Sequence, residues 1–197
     1  MNNFDKVAKN WESDPRKLKQ TSIITNNIKK YLNKNDIIID YGTGTSLIAY
    51  SIKDFVKEII AIDNSAGMLE VLKIKITKNN VKNIKVLNTN LVTDNFNQKV
   101  NSIIITMTLH HIEDIKDIFS KFYNLLEDNG YLIIVDLLKE DGSFHKDNTG
   151  VKHFGFQKNF LIQEFKKADF KLIEFKDLFQ FNKADKKYDM FLAIVKK

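Results

Sequence analysis

The stretch IIIDYGTGTS, residues 37–46, decides the fold. Three β-branched apolar residues run into Asp40, and Gly42 and Gly44 follow one residue apart. β-Branched residues favour strands. A short apolar run without alternation suits a strand buried on both faces. Glycines just after it allow a tight turn and let a ligand approach the main chain closely. The stretch therefore reads as strand, turn and helix start.

The same pattern continues downstream. SLIAYSIKDF reads as helix, EIIAID as a second buried strand, SAGMLEVLKIKITKN as a second such helix and NIKVLN as a third strand. NSIIITM is a fourth strand, followed by a helix over residues 114–126. The pair of turn formers in DNG then leads into a fifth strand, YLIIVDLL. Strands alternating with helices imply a parallel sheet covered on both sides.

Upstream, residues 3–10 form a short amphipathic helix. A second helix starts near Asp14-Pro15, with proline at a tolerated first-turn position. Its spacing places Leu18, Ile23, Ile24, Ile28, Tyr31 and Leu32 on one buried face. Near the C-terminus a helix covers residues 159–168. FKLIEFKDLFQF and KKYDMFLAIVKK then form two strands joined by a polar turn at residues 182–185. That turn is too short for a parallel crossover, so the last two strands pair antiparallel. The expected fold is α/β: a Rossmann-like, doubly wound seven-stranded sheet, mostly parallel with an antiparallel last strand, and helices on both faces. One domain spans residues 1–197, with residues 1–35 as its N-terminal helical cap.

Composition narrows the function. A chain of 197 residues, 43% hydrophobic, suits one domain with a sizeable core. The absence of cysteine excludes disulfides, thiolate metal sites and a cysteine nucleophile. It also suits a reducing compartment, and the cytoplasm is the expected location. No run reaches the ~18 apolar residues of a membrane span, and MNNFDKVAKNWESDP has no apolar signal region. The net charge is +6 and the pI about 9.2. The lysines are dispersed among acids, which reads as a solvated surface. Nucleic acid is a partner that the charge allows but does not favour.

Asp63 closes the second strand about twenty residues beyond the glycines. Strand, GxG turn, helix, strand and acid is a nucleoside-binding arrangement. An ionised carboxylate there accepts both hydroxyl hydrogens of a ribose, and Ser65 can cap the next helix in its place. A nicotinamide dinucleotide fingerprint fails, because its third glycine position holds Leu47. Asp40 would also repel a pyrophosphate. It suits a cationic nucleoside such as S-adenosylmethionine, whose sulfonium and ammonium gain roughly 1–4 kcal/mol of Coulomb attraction at ~4 Å. The sign of the charge decides, more than its size.

On these residues the chain resembles the class I S-adenosylmethionine-dependent methyltransferases, in the small single-domain branch that includes quinone-biosynthesis-type enzymes. FDKVAKNWESDPR resembles the N-terminal segment that helps close over the cofactor. IIIDYGTGTS, AIDNSAGML, LNTNL, TMTLHHIED and LLEDNGYLIIVD resemble successive family motifs. The resemblance implies that Asp40, Gly42, Thr43 and Gly44 hold the methionine end. It implies Asp63 for the ribose, Asn64, Met68, Asn90 and Leu91 for the adenine, and Met107 against the methionine moiety. It further implies in-line methyl transfer with S-adenosylhomocysteine as product. The acceptor is expected to be a small molecule, since no extra domain for a macromolecule is read in the sequence, and the protein a monomer or homodimer. Two residues depart from the family. Ser46 replaces its third glycine and is expected in ordinary helical dihedrals without strain. Asn90 replaces a common aspartate, and its carbonyl oxygen is expected to accept the adenine amino hydrogen. The competing readings are an RNA or protein methyltransferase using the basic surface, a non-catalytic nucleoside-binding module, and a nicotinamide oxidoreductase.

Displacement from a sulfonium releases a neutral thioether, so alignment in a water-poor site can supply most of the catalysis. A base is needed only if the acceptor must lose a proton. His110 and His111 follow the fourth strand, and His111 is the candidate base. The plainer alternative has one ring packed under a loop and the other bonded to the main chain. No metal site is expected, since adjacent donors rarely point at one centre and no partner cluster stands out. His145 and His153 lie in SFHKDNTGVKHFGF, which resembles the region shaping the family's acceptor pocket. Asp136 and Glu140 have no partner that spacing reveals.

Overall fold

The computed structural model describes residues 3–183 and 185–197, so Met1, Asn2 and Ala184, within the expected 182–185 turn, lie outside the described residues. The chain opens with α1 (Asn3–Val7), a 3-10 turn (Ala8–Ser13) and α2 (Pro15–Ile28). Asp14 caps α2 by accepting the N–H of Arg16, ahead of Pro15 at the first helical position. The alternating part follows as β1 (Ile37–Tyr41), α3 (Leu47–Ile52), β2 (Glu58–Asp63), α4 (Ala66–Lys78), β3 (Ile84–Asn88), β4 (Val100–Thr106), α5 (Ile115–Leu125) and β5 (Leu126–Leu137). The chain closes with α6 (Lys158–Lys167), β6 (Lys171–Lys183) and β7 (Lys186–Lys196).

The seven strands lie in the order β3-β2-β1-β4-β5-β7-β6. β1 to β5 pair in parallel, and β7 runs antiparallel to both β5 and β6. The hairpin argument from loop length therefore holds. Strand order reverses at β1 and β4, and the crevice beyond their carboxyl ends is where such sheets bind ligands.

Successive residues of each buried strand feed opposite faces. Ile39, Ile103, Ile105 and Ile134 pack with Phe119 and Phe122 of α5 and Leu161 and Phe165 of α6. Ile38, Ile104 and Ile133 pack on the other face with Ile24 and Ile28 of α2, Ile48 and Ile52 of α3, and Leu69 and Leu72 of α4. Each such side chain contributes roughly 1.5–3 kcal/mol by leaving water. The unbroken apolar runs of the central strands are thus explained by helices on both faces.

Three details depart from the expectation. Leu18 is 56% exposed. The buried face of α2 starts one turn later, at Thr21, Ile24 and Ile28. The DNG turn does not precede β5 but lies inside it. Leu126 already pairs with Val100, and the register shifts before Ser102 pairs with Tyr131. Asn129 absorbs that excursion at φ 67°. Finally, β6 bears two register shifts along its pairing with β7, at Leu172/Glu174 and Asp177/Phe179.

After β5 the chain leaves the sheet and returns against its end. Phe156 N–H donates to Leu137 O at 2.9 Å, and Lys139 N–H donates to Phe156 O at 3.0 Å. Gly155 permits this approach, since a Cβ there would lie 2.1 Å from the Leu138 carbonyl oxygen. Gly150 has a similar positive φ but open space around it. Gly150→Ala should therefore cost only the left-handed strain, about 1–2 kcal/mol. Gly155→Ala should cost clearly more, because main chain must move. Chemical denaturation of both variants measures the contrast, and equal costs would contradict it.

Candidate functional site

The glycine turn is fastened before any ligand arrives. Gly42 and Thr43 donate their N–H groups to Ile62 O at 2.8 and 3.0 Å, which ties the turn to the end of β2. A Cβ at Gly42 would lie 2.2 Å from Thr108 Oγ1. Gly42 therefore makes room for Thr108, not for a ligand. Gly44 differs. It sits at φ +55°, and among the described residues only Trp11 Nε1 comes within 4.0 Å of its missing side chain. Of the two glycines expected to allow close approach, only Gly44 offers an open main chain.

Ser46 overturns the expectation made for it. Its φ and ψ are 67° and 42°, the left-handed region, directly before α3. The chain must reverse within three residues of Thr43, and Ser46 N–H closes that turn on Thr43 O at 2.8 Å. The family's glycine position thus keeps a glycine conformation under a serine side chain. Its hydroxyl is buried against Thr43 Oγ1 at 2.8 Å, and Thr43 Oγ1 donates to Asp40 Oδ2 at 2.6 Å.

Asp40 is only 2% exposed. Burial pushes its carboxyl up to about 6, although the Thr43 hydroxyl and Ala49 N–H favour the charged form. Asp63 faces the same turn. It accepts Gly44 N–H and Ser65 N–H, each at 2.8 Å. Burial raises this carboxyl too, against those N–H donors. An ionised carboxylate has about four acceptor sites, so capacity for ribose hydroxyls remains. Ser65 caps α4 as expected, accepting Met68 N–H at 3.2 Å.

Around the residues expected to contact adenine the structure is tighter than expected. Asn90 Oδ1 accepts from Tyr41 Oη at 2.9 Å and from Val92 N–H at 3.0 Å. The oxygen expected to face an adenine is thus turned inward, with both lone pairs engaged. Met68 and Leu91 are buried. Met107, just beyond β4, sits at φ 52° and donates its N–H to Val135 O at 2.8 Å.

The N-terminal segment covers this turn. Asp5 Oδ1 accepts from Ser65 Oγ at 2.6 Å and Gly67 N–H at 2.9 Å. Gly67 lets the segment come this near, as a Cβ would meet Asp5 Cα at 2.9 Å. Glu12 pairs with Lys75 at 2.7 Å. Lys17 Nζ stands 3.1 Å over the Trp11 ring, and burial lowers it to about 8. Phe4 meets Trp11 and His111 edge-on, at centroid distances of 6.2 and 5.4 Å.

The histidines resolve in part as the plainer alternative had it. His110 is buried, and His111 Nδ1 donates to Gly150 O at 2.9 Å. His153 Nε2 meets Ile112 O at 2.9 Å and staples its loop. Spacing did not reveal two partners. His110 Nδ1 donates to Asp136 Oδ1 at 2.7 Å, both groups being buried. His110 Nε2 lies 3.1 Å from His145 Nε2. Burial, then the neighbouring rings, lowers His145 to about 4, and burial lowers His111 as well. Asp136 ends the apolar run LIIV within β5, and a carboxylate buried there needs a partner; that was the only sequence signal for the pair. Glu140 instead accepts the N–H groups of Gly142 and Ser143.

Two outcomes follow. Alanine normally beats glycine in and around helices, but at residue 46 the order should invert, with Ser46→Gly more stable than Ser46→Ala by about 1 kcal/mol. Equal stabilities in denaturant would contradict the strain. Asp40 has a folded pKa of about 6 against 3.8 unfolded. Its stabilisation is therefore complete below the unfolded value and lost as pH rises through about 6. The stability of wild type minus Asp40→Asn should fall by on the order of 3 kcal/mol between about pH 3 and pH 7. A flat difference would refute the burial argument.

With this geometry in view, the relatives are informative. A family model for a methyltransferase domain matches residues 32–152. An uncharacterised methyltransferase of Schizosaccharomyces pombe is 28% identical over 159 residues, covering 72% of this chain and 56% of that protein. The chain spans between 56% and 61% of the length of the curated relatives it matches. Among solved structures, a chain of the complex between the Haloferax volcanii Trm112 methyltransferase activator and a methyltransferase superposes with a TM-score of 0.80 at 12% identity, covering 100% of this chain and 98% of that one. Haemonchus contortus phosphoethanolamine N-methyltransferase 2, solved with S-adenosylhomocysteine, gives 0.74 at 14% identity over 91% of this chain and 52% of that one. The family match covers more than half of the sequence, and the chain belongs to the methyltransferase domain family, with the class I fold.

Proposed function

We propose that the methyl donor is S-adenosylmethionine and that the acceptor is a small molecule. The observation that carries the donor reading is the bond from Gly44 N–H to Asp63 Oδ2 at 2.8 Å. It makes the open glycine and the strand-end acid one site at the switch point. The residues fit the donor: the space where a Gly44 side chain would stand is open, and Asp63 keeps acceptor capacity for a ribose. Asp40 and Thr43, with Met107, would hold the cationic methionine end, and Asn64, Met68, Asn90 and Leu91 would hold the base. When bound, the donor supplies an electrophilic methyl on a sulfonium.

The chain's own part is alignment and exclusion of water by Trp11 and Phe4. His110 and His111 each hold a proton on Nδ1, toward Asp136 and the Gly150 carbonyl, which leaves an Nε2 on each ring to accept a proton while no cation is bound there. A small acceptor is supported by the lysines near the turn. Lys17 is spent on Trp11 and Lys75 on Glu12, so neither forms a free basic patch for RNA.

The donor reading is tested by thermal shift. S-adenosylmethionine or S-adenosylhomocysteine at a hundred times its dissociation constant adds about 2.7 kcal/mol, a rise of roughly 5–10 °C for a chain of this size. Asp63→Ala should stay folded and lose the rise. A rise with NAD and none with the sulfonium compound would overturn the assignment.

A further inference from the structure

The fold brings three imidazoles together from two separate segments. His110 and His111 belong to the 3-10 turn Leu109–His111 after β4, and His145 comes from the loop after β5. One ring nitrogen of each lies within 4.8 Å of the other two. The protons on these rings follow from their outer partners. Asp136 can only accept, so the His110 proton sits on Nδ1 and its Nε2 carries a lone pair. Gly150 O likewise holds the His111 proton on Nδ1, leaving Nε2 as a second lone pair. His145 can point one N–H at His110 Nε2. His110 Nε2 thus faces His145 Nε2 at 3.1 Å, and one ring nitrogen of His111 lies within 4.8 Å of the ligand atoms of both, so a cation set among them would meet three nitrogens at once.

We propose that His110, His111 and His145 bind a divalent transition-metal ion of the zinc class through their Nε2 atoms. Three neutral imidazoles suit Zn²⁺, Co²⁺ or Ni²⁺ better than Mg²⁺ or Ca²⁺, which take oxygen ligands. Tetrahedral zinc with nitrogen at 2.0–2.1 Å needs ligand atoms about 3.3 Å apart. His110 and His145 stand at 3.1 Å already. His111 closes the remainder by rotating a ring that is only partly buried. Behind two of the ligands stand Asp136 and the Gly150 carbonyl, the outer partners that orient ligating histidines. Three protein ligands leave a fourth position for water or for an oxygen or nitrogen of a bound molecule. The site does not depend on the identity of the methyl donor.

The test uses tag-free, chelator-treated full-length protein titrated with Zn²⁺ against a chromophoric competitor. One equivalent should bind per chain at micromolar affinity or tighter, and Co²⁺ should give the visible absorption of a tetrahedral complex. His145→Ala and His111→Ala should each weaken binding ~100-fold or more, beyond the 10–100-fold typical of losing an outer partner. His153→Gln, outside the cluster, should leave it unchanged. Far-ultraviolet circular dichroism checks that each variant is folded, and His145 is only partly buried. Absence of one-equivalent binding to wild type, or wild-type affinity in folded His145→Ala, overturns the proposal and leaves the cluster a hydrogen-bonded relay.

Discussion

The contact on which the site depends is Thr108 lying where a side chain at Gly42 would be. It clamps the turn after β1 to the turn after β4, across the reversal in strand order. Any residue larger than glycine at 42 would push these turns apart. With them would go the alignment of Gly44 with Asp63 and the position of the histidines that follow Thr108. The two chemical halves of the site are neighbours because one methyl-sized space is filled from the turn after the adjacent strand.

Much of this was legible in the residues. Periodicity marked the central strands, since a strand covered on both faces cannot alternate. Loop length alone set the direction of β7. That Asp63 would face the glycine turn was legible because strand, turn and acid occur in order along the chain. What was not legible depended on contacts between distant segments. Nothing local told that Gly42 serves Thr108 whereas Gly44 stays open. Nothing at Asn90 told that Tyr41, from another strand, would take its carbonyl oxygen.

Ser46 shows a different limit. A serine is permitted ordinary helical dihedrals, and that rule made strain seem unnecessary. The backbone path was set instead by the need to reverse onto Thr43, and the side chain had to accept it. The network Asp40, Thr43 and Ser46 compensates by giving the buried hydroxyl a partner. Histidine pairing failed for a related reason: adjacency in sequence says little when a loop about thirty-five residues away folds back through Gly155.

The uneven outer strand β6 has a consequence for the whole particle. An open sheet margin is a template on which another chain can add. The two shifts of register along β6 break the even ladder that such addition requires, and Lys171, Glu174, Lys176, Asp177 and Lys183 put charged side chains along the strand. At the opposite margin β3 is only five residues long and carries Lys85. A seven-stranded sheet rich in isoleucine is thereby kept from lengthening itself edge to edge into a fibre.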